Sequence, residues 1–240
     1  MTTLPSACRN LLGLGQVEPE SLESRLGIGP IEPARVARSR TKRAMDLVGA
    51  SFGLLLLAPL LAILAALVRS DSAGPILFRQ ARKGLGGRVF TCLKFRTMVP
   101  DAEDRLRDLE ASNEAAGGVL FKIRRDPRIT PLGRFLRKTS LDELPQLWNV
   151  LVGEMSLVGP RPLQIRDSER LAGSDPDGYA GRLAARPGIT GPWQVGGRSE
   201  VASDRMIELD LEYVVDWTLA TDLSILLRTI AVVAGGKGAC

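Results

Sequence analysis

The sequence predicts an α+β protein: a membrane re-entrant helix-break-helix hairpin, then a small, mostly helical domain with a short β-hairpin and interfacial amphipathic helices. Three observations carry that expectation. The stretch Leu47 to Val68 holds no charge and has Pro59 near its middle. Basic residues flank it on both sides, with Arg38, Arg40, Lys42 and Arg43 before it and Arg69, Arg79, Arg82 and Lys83 after it. The rest of the chain alternates short helical patterns with one hairpin-like stretch, punctuated by Pro and Gly.

Taken in order, residues 1 to about 40 scatter Gly, Pro, Glu and Arg without a period and read as a flexible polar tail. The apolar run comes too late and is too long for a signal peptide. At ~1.5 Å per residue it is long enough to cross a ~30 Å hydrocarbon core. Proline removes a helix hydrogen bond there, and basic residues favour the cytoplasmic side at both ends. A hairpin spanning 41–70 that enters one leaflet and returns satisfies both facts; a single-pass helix kinked at Pro59 is the alternative. The remainder, 71–240, forms the rest of the protein. Ile76-Phe78 and Val89-Leu93 read as strands joined by Gly84-Leu85-Gly86-Gly87. Helices are expected over Asp101 to Glu114, ending at Gly117-Gly118, and over Leu132 to Lys138, Asp142 to Leu151 and Arg166 to Leu171. Asp126-Pro127-Arg128 reads as a turn. Pro187 to Gln194 reads as a loop carrying an aromatic, extended by Gly196-Gly197-Arg198-Ser199. Asp204 to Trp217 and Leu223 to Val233 have helical spacing and suit either a membrane surface, with Trp217 at the interface, or core packing.

Composition narrows the chemistry. In 240 residues, 45% of them hydrophobic, there is enough apolar material for a core. The formal net charge of +5 suits an anionic membrane face or a phosphorylated ligand, and no aromatic–basic pattern supports nucleic-acid binding. No histidine occurs anywhere, which excludes His-based nucleophile systems and His-ligated metals. Cys8, Cys92 and Cys240 form no CxxC pair, so neither a disulfide framework nor a zinc site is indicated.

Carboxylates must therefore carry the chemistry, and Asp142-Glu143 is the pair that stands out. Ser140-x-x-Glu143 fits a capping box, with Glu143 reaching back to the helix start. Asp142 then falls in the first turn, where the helix dipole favours an ionised carboxylate, competent as a nucleophile toward phosphorus. The neighbouring Glu143 suits Mg²⁺, which takes oxygen ligands and keeps several waters. Arg161, between two prolines in Gly159-Pro160-Arg161-Pro162, is a candidate phosphate ligand held out from a stiff loop, against the plainer reading of a solvated surface charge. Lys94, Arg96, Arg137 and Lys138 are further candidates for binding phosphate.

Several motifs together resemble the bacterial sugar transferase family, the monotopic polyprenyl-phosphate phosphoglycosyl transferases. They are Lys94-Phe95-Arg96-Thr97-Met98, Thr139 to Gln146, Gly153 to Pro162 and Pro187-Gly188-Ile189-Thr190-Gly191. The likeness runs from about Lys42 to the C-terminus. It implies transfer of a sugar 1-phosphate from a UDP-sugar to undecaprenyl phosphate, with UMP released, as the start of exopolysaccharide or another cell-surface glycan. It further implies a covalent aspartyl-phosphosugar on Asp142, Mg²⁺ at Glu143, and Lys94, Arg137 and Arg161 at the phosphates. The re-entrant hairpin would sit in the cytoplasmic leaflet of the bacterial inner membrane, with the catalytic domain in the cytoplasm. One departure is Ala58-Pro59 where the family often has Ser-Pro; another is a polar tail where many longer relatives carry a membrane domain. A non-catalytic membrane scaffold for glycan assembly and a glycosyl transferase releasing UDP are the competing readings. The sequence leaves a homo-oligomer open and does not name the sugar.

Overall fold

The computed structural model describes residues 31–102, 104–105, 126–196 and 203–235. Most of the expected tail, the expected charged helix beyond residue 105, the extension over 197–199, and Cys8 and Cys240 lie outside the described residues.

The chain is packed earlier than the expected tail boundary near 40. A short helix, α1 (Arg35–Arg38), buries Val36 against Tyr213, Val214 and Trp217, and the Ala34 amide donates to the Ala184 carbonyl at 2.8 Å. Ser39 then caps α2 (Arg40–Asp71), its hydroxyl accepting from the Lys42 amide at 3.2 Å. α2 holds Pro59 inside it, so the expected helix-break-helix is one uninterrupted helix. Proline deprives only the Leu55 carbonyl of its donor. The Leu- and Ala-rich turns on either side are strong helix formers and keep the ladder going.

This is the one helix among the described residues long and apolar enough to cross a membrane. One side of its middle is bare, with Val48, Phe52, Leu55, Leu56 and Ile63 exposed, while Leu54, Leu57, Leu60 and Leu61 on the other side pack against the rest of the protein. Both of its ends are bound to the rest of the protein. Near the start, Arg43 donates to the Val150 and Leu151 carbonyls, and Asp46 accepts from the Ser156 hydroxyl and the Leu157 amide. Near the end, Leu64 and Val68 pack with Phe95 and Leu136.

The expected hairpin is present and longer than its apolar stretches suggested. β1 (Leu77–Lys83) pairs antiparallel with β2 (Val89–Phe95) in the register Leu77 opposite Phe95 to Lys83 opposite Val89. The connection uses Gly86 and Gly87 at φ 63° and 75°, a left-handed backbone that glycine adopts without strain. α3 (Pro131–Thr139) follows, with Pro131 at its first turn and Thr130 as its cap. A 3₁₀ turn (Leu141–Glu143) leads into α4 (Gln146–Val152), which Gly153 ends in the left-handed conformation.

A second, parallel pair joins β3 (Ser156–Val158) to β4 (Gly188–Thr190). The remaining described helices are α5 (Ile165–Ser174), α6 (Pro176–Leu183), α7 (Pro192–Val195), α8 (Ser203–Val215) and α9 (Leu219–Gly235). β4 and most of α7 fall in the stretch read as a loop, and β3 and α6 fall where no element was expected. Close approach explains the glycines in Pro-Gly-Ile-Thr-Gly: a Cβ on Gly188 would lie 2.1 Å from the Gly159 amide nitrogen.

Trp217 is core rather than interfacial. It is buried with Tyr213, and both donate to Asp222, Tyr213 to Oδ1 at 2.7 Å and Trp217 to Oδ2 at 3.0 Å. Lys42 completes the node, 2.7 Å from Asp222 Oδ2, with both partners buried. α9 nevertheless leaves Leu223, Leu227 and Ile230 exposed along one side.

Removing one partner of a buried ion pair leaves the other charge uncompensated. Lys42→Met is expected to cost about 3–5 kcal/mol and lower Tm by ~10 °C, read by thermal unfolding of the purified protein in detergent.

Candidate active site

Glu143 gathers the site. Its carboxylate accepts from Lys94 Nζ at 2.6 Å and lies 3.6 Å from Arg161 Nη2. Lys94 comes from β2 and Arg161 from the loop after β3. Each is aimed by local structure. Asn149 on α4 accepts from the Leu93 amide at 3.1 Å and donates to the Thr91 carbonyl at 2.7 Å, clasping β2 to the helix that follows the acid pair. Glu154 receives a further bond from Asn149 at 2.7 Å, so the Gly153-Glu154 turn orients the clasp.

The expected capping box is not formed. Ser140 lies at φ 57°, closing α3 from the left-handed region, and its side chain caps nothing in the 3₁₀ turn. Glu143 instead faces cations from distant segments, because α4 begins only at Gln146 and leaves no helix start for it to cap. Lys94, with Arg161 next, holds the Glu143 carboxyl down to about 2, against the opposing effect of burial.

Asp142 departs from expectation in the same way. It is buried in the 3₁₀ turn rather than set in the first turn of a helix. Burial pushes its carboxyl above the ordinary aspartate value, and Glu143 adds to that rise, while Lys94, Arg137 and Arg161 oppose it. Desolvation therefore outweighs any dipole benefit. An aspartate under-stabilised as an anion is more basic and more nucleophilic than one in water. Arg137 reaches the same place from α3, with Nε donating to Thr97 Oγ1 at 2.9 Å; burial lowers its guanidinium and Asp142 supports it.

Arg96 is not part of this group. Its guanidinium donates to the Pro75, Val68 and Ser72 carbonyls, closing the C-terminal end of α2, where unpaired carbonyls need donors. Lys138 is exposed on α3. Pro59 stays within α2, away from the acid pair in sequence.

Two residues join the site that the sequence did not single out. Arg82 and Gln146 line one small cleft with Lys94, Glu143 and Arg161. Arg82 is buried, donates to the Pro162 carbonyl and to Gln80, and adds to the field at Glu143. Its signal was available as strand parity. Phe78 pairs with Lys94 and Arg82 with Phe90, so Arg82 and Lys94 share one face of the hairpin. A strand read as ending at Phe78 hides that relation.

No group of three or more His, Cys, Asp or Glu side chains suited to a metal occurs among the described residues. That excludes an all-protein cage there. The hard oxygen donors of Asp142 and Glu143 fit Mg²⁺, which takes one or two carboxylates and completes its shell with water and phosphate oxygens.

The site thus joins paired carboxylates to fixed cations in a protein that also carries one helix long and apolar enough to cross a membrane. The family model for bacterial sugar transferases matches residues 37–236, and the chain belongs to that family. It is 48% identical over 201 residues to the UDP-galactose-lipid carrier transferase of Erwinia amylovora, covering 82% of this chain and 41% of that protein. It is 44% identical over 207 residues to the UDP-glucose:undecaprenyl-phosphate glucose-1-phosphate transferase of Caulobacter vibrioides, covering 84% and 72%. It is 41% identical over 201 residues to the exopolysaccharide production protein ExoY of Sinorhizobium fredii, covering 82% and 87%. Against several of its most similar curated relatives the chain spans 41–43% of their length.

Adjacent carboxylates with opposite shifts give substitutions of opposite sign. The ionised form of Asp142 is disfavoured on folding, so wild-type stability falls as pH rises from the ordinary aspartate value through the raised one. Asp142→Asn is therefore expected to raise Tm at pH 7, with the gain vanishing near pH 3. Glu143 contributes stability above its ordinary value of 4.5, and that contribution is lost as pH falls toward about 2. Glu143→Gln is expected to lower Tm at pH 7 by on the order of 5 °C. Thermal melts of both variants across pH 3–7 check this.

Proposed function

We propose that the protein transfers a sugar 1-phosphate from a UDP-sugar to undecaprenyl phosphate, releasing UMP, as the first step of an exopolysaccharide or related surface glycan. The observation that carries this reading is the buried Asp142 with Glu143 beside it and Lys94, Arg137 and Arg161 converging on the pair. The printed names of the relatives from Erwinia and Caulobacter, a lipid carrier transferase and an undecaprenyl-phosphate glucose-1-phosphate transferase, support it.

In this reading an Asp142 carboxylate oxygen attacks the β-phosphorus of the donor. The bond from that phosphorus to the bridging oxygen breaks, and UMP leaves with the electron pair. The sugar phosphate stays on Asp142 as an acyl phosphate. A phosphate oxygen of the lipid then attacks the same phosphorus, and the aspartate leaves as carboxylate. Arg161, Lys94 and Arg137 bind and orient the diphosphate and offset its charge as the anionic aspartate approaches. Burial keeps water from the acyl phosphate before the lipid arrives. Mg²⁺, when bound at Glu143 with the donor's phosphates, would supply further charge neutralisation there.

The membrane course belongs to the same reading. We infer that α2 lies in the cytoplasmic leaflet of the inner membrane as a re-entrant element that does not cross to the other side. The lipid contacts the bare side of its middle, and both ends stay with the catalytic domain on the cytoplasmic side. The contacts of Arg43 and Asp46 at one end and of Val68 at the other support this, since a spanning helix would carry one end away. The exposed Leu223, Leu227 and Ile230 of α9 would lie in the interface beside it.

Donor alone should release UMP in a single-turnover burst without lipid acceptor, and mass should be added at Asp142. Asp142→Asn should lower turnover by about 10⁴-fold or more while membrane binding persists. Release of UDP, or full activity of Asp142→Asn, overturns the mechanism. Glu143→Gln should weaken the Mg²⁺ requirement. Cysteine labelling in cells should find both ends of α2 reachable from the cytoplasm; labelling of residues 1–40 from outside overturns the re-entrant course.

A further inference from the structure

Arg161 is held from behind by groups that the reaction scheme does not use. Its carbonyl accepts from Arg182 Nη2 at 2.8 Å, and Arg182 also reaches Asp210 Oδ2 through Nε at 2.8 Å. The Arg182 and Asp210 side chains are 5% and 0% exposed. One guanidinium fork thus grips a carboxylate and the backbone of the Gly-Pro-Arg-Pro loop together. The prolines on either side of Arg161 lack amide donors, so the loop is anchored largely through its carbonyls, with Pro160 accepting from the Gly188 amide at 2.9 Å and Pro162 from Arg82.

The side chain of Arg161 is oriented too. Its guanidinium carbon lies 5.5 Å from the centroid of the Trp193 ring, inside the range for a cation over an aromatic face. Trp193 is buried, and the Arg161 side chain stays 29% exposed at the cleft with Glu143 on its other flank. The arrangement is poorly explained as stabilisation. A buried ion pair adds little net stability over apolar packing, and Asp210 Oδ1 has no hydrogen-bond partner among the described residues.

We propose that Trp193, Arg182 and Asp210 are positioning residues that aim Arg161 at the phosphates of a nucleoside diphosphate sugar. The inference rests on the reading that Arg161 grips those phosphates. The ring fixes where the guanidinium points, and the Arg182–Asp210 pair fixes where its backbone sits. Donor binding then loses less side-chain freedom, which is where pre-organisation gains affinity.

The test measures donor binding without turnover. UDP-glucose and UDP-galactose are titrated by calorimetry into full-length Asp142→Asn protein in detergent, and Kd is taken for whichever binds. Adding Trp193→Leu should raise Kd about 3- to 30-fold, and Trp193→Phe, which keeps a ring face, should restore most of it. Arg182→Lys should also raise Kd, because an ammonium keeps the charge opposite Asp210 but cannot fork to the Arg161 carbonyl. With Arg161→Ala added, neither substitution should raise Kd further, since no guanidinium is left to aim. A general structural defect would persist in that background, and equal effects in both backgrounds overturn the proposal. Should Trp193→Leu fail to fold, the same comparison with Arg182→Lys decides. If Arg161→Ala weakens donor binding while the folded Trp193 and Arg182 variants do not, the positioning role alone falls. If Arg161→Ala leaves Kd unchanged, the phosphate role of Arg161 falls, and the positioning role with it.

Discussion

The Lys94–Glu143–Arg161 contact is the constraint on which the site depends. It draws a strand, a 3₁₀ turn and a proline-bounded loop to one point. Bringing so many cations together is unfavourable unless an anion lies among them. Glu143 is that anion, and its depressed carboxyl measures how firmly the cations hold it. The same cluster leaves Asp142 as the buried carboxylate whose ionised form is least supported. Two neighbouring acids with shifts in opposite directions are the usual physical basis for a division of labour between carboxylates.

Around that point the fold is organised to keep distant segments in register. Asn149 clasps β2 to α4, so Lys94 and the acid pair cannot drift apart. The close passage of Gly188 by Gly159 brings the Arg161 loop beside β4. The buried node of Lys42, Asp222, Tyr213 and Trp217 ties the start of the apolar helix to the last helix. Arg96 ties down its other end. The apolar helix is thus fixed to the domain at both ends, and one face of it and a stripe of α9 stay exposed.

Much of this was legible beforehand. The apolar run, the hairpin and the acid pair are local patterns, and the absence of histidine left carboxylates as the groups able to do the chemistry. The helices over 131–139, 165–174 and 203–215 followed from periodicity and punctuation. What escaped has a common cause. Arg82 looked like a flanking charge because the strand carrying it is polar along half its length. Arg96 looked like a phosphate ligand because it lies two residues from Lys94, the spacing that shares a strand face, but β2 ends at Phe95 and Arg96 turns instead to the carbonyls at the end of α2. The parallel pairing of β3 with β4 involves three-residue strands, too short to show a period.

By itself the sequence determined which residue types could react, where the apolar helix runs, and that the acid pair lies near fixed arginines. The tertiary structure decided whether Glu143 caps a helix or holds cations, whether Asp142 is eased or strained as an anion, and which arginines reach the site. Those outcomes depend on burial and on partners far along the chain, Lys94 lying 49 positions before Glu143. Local pattern constrains backbone conformation, but the electrostatic environment of a side chain is set by what the fold places around it.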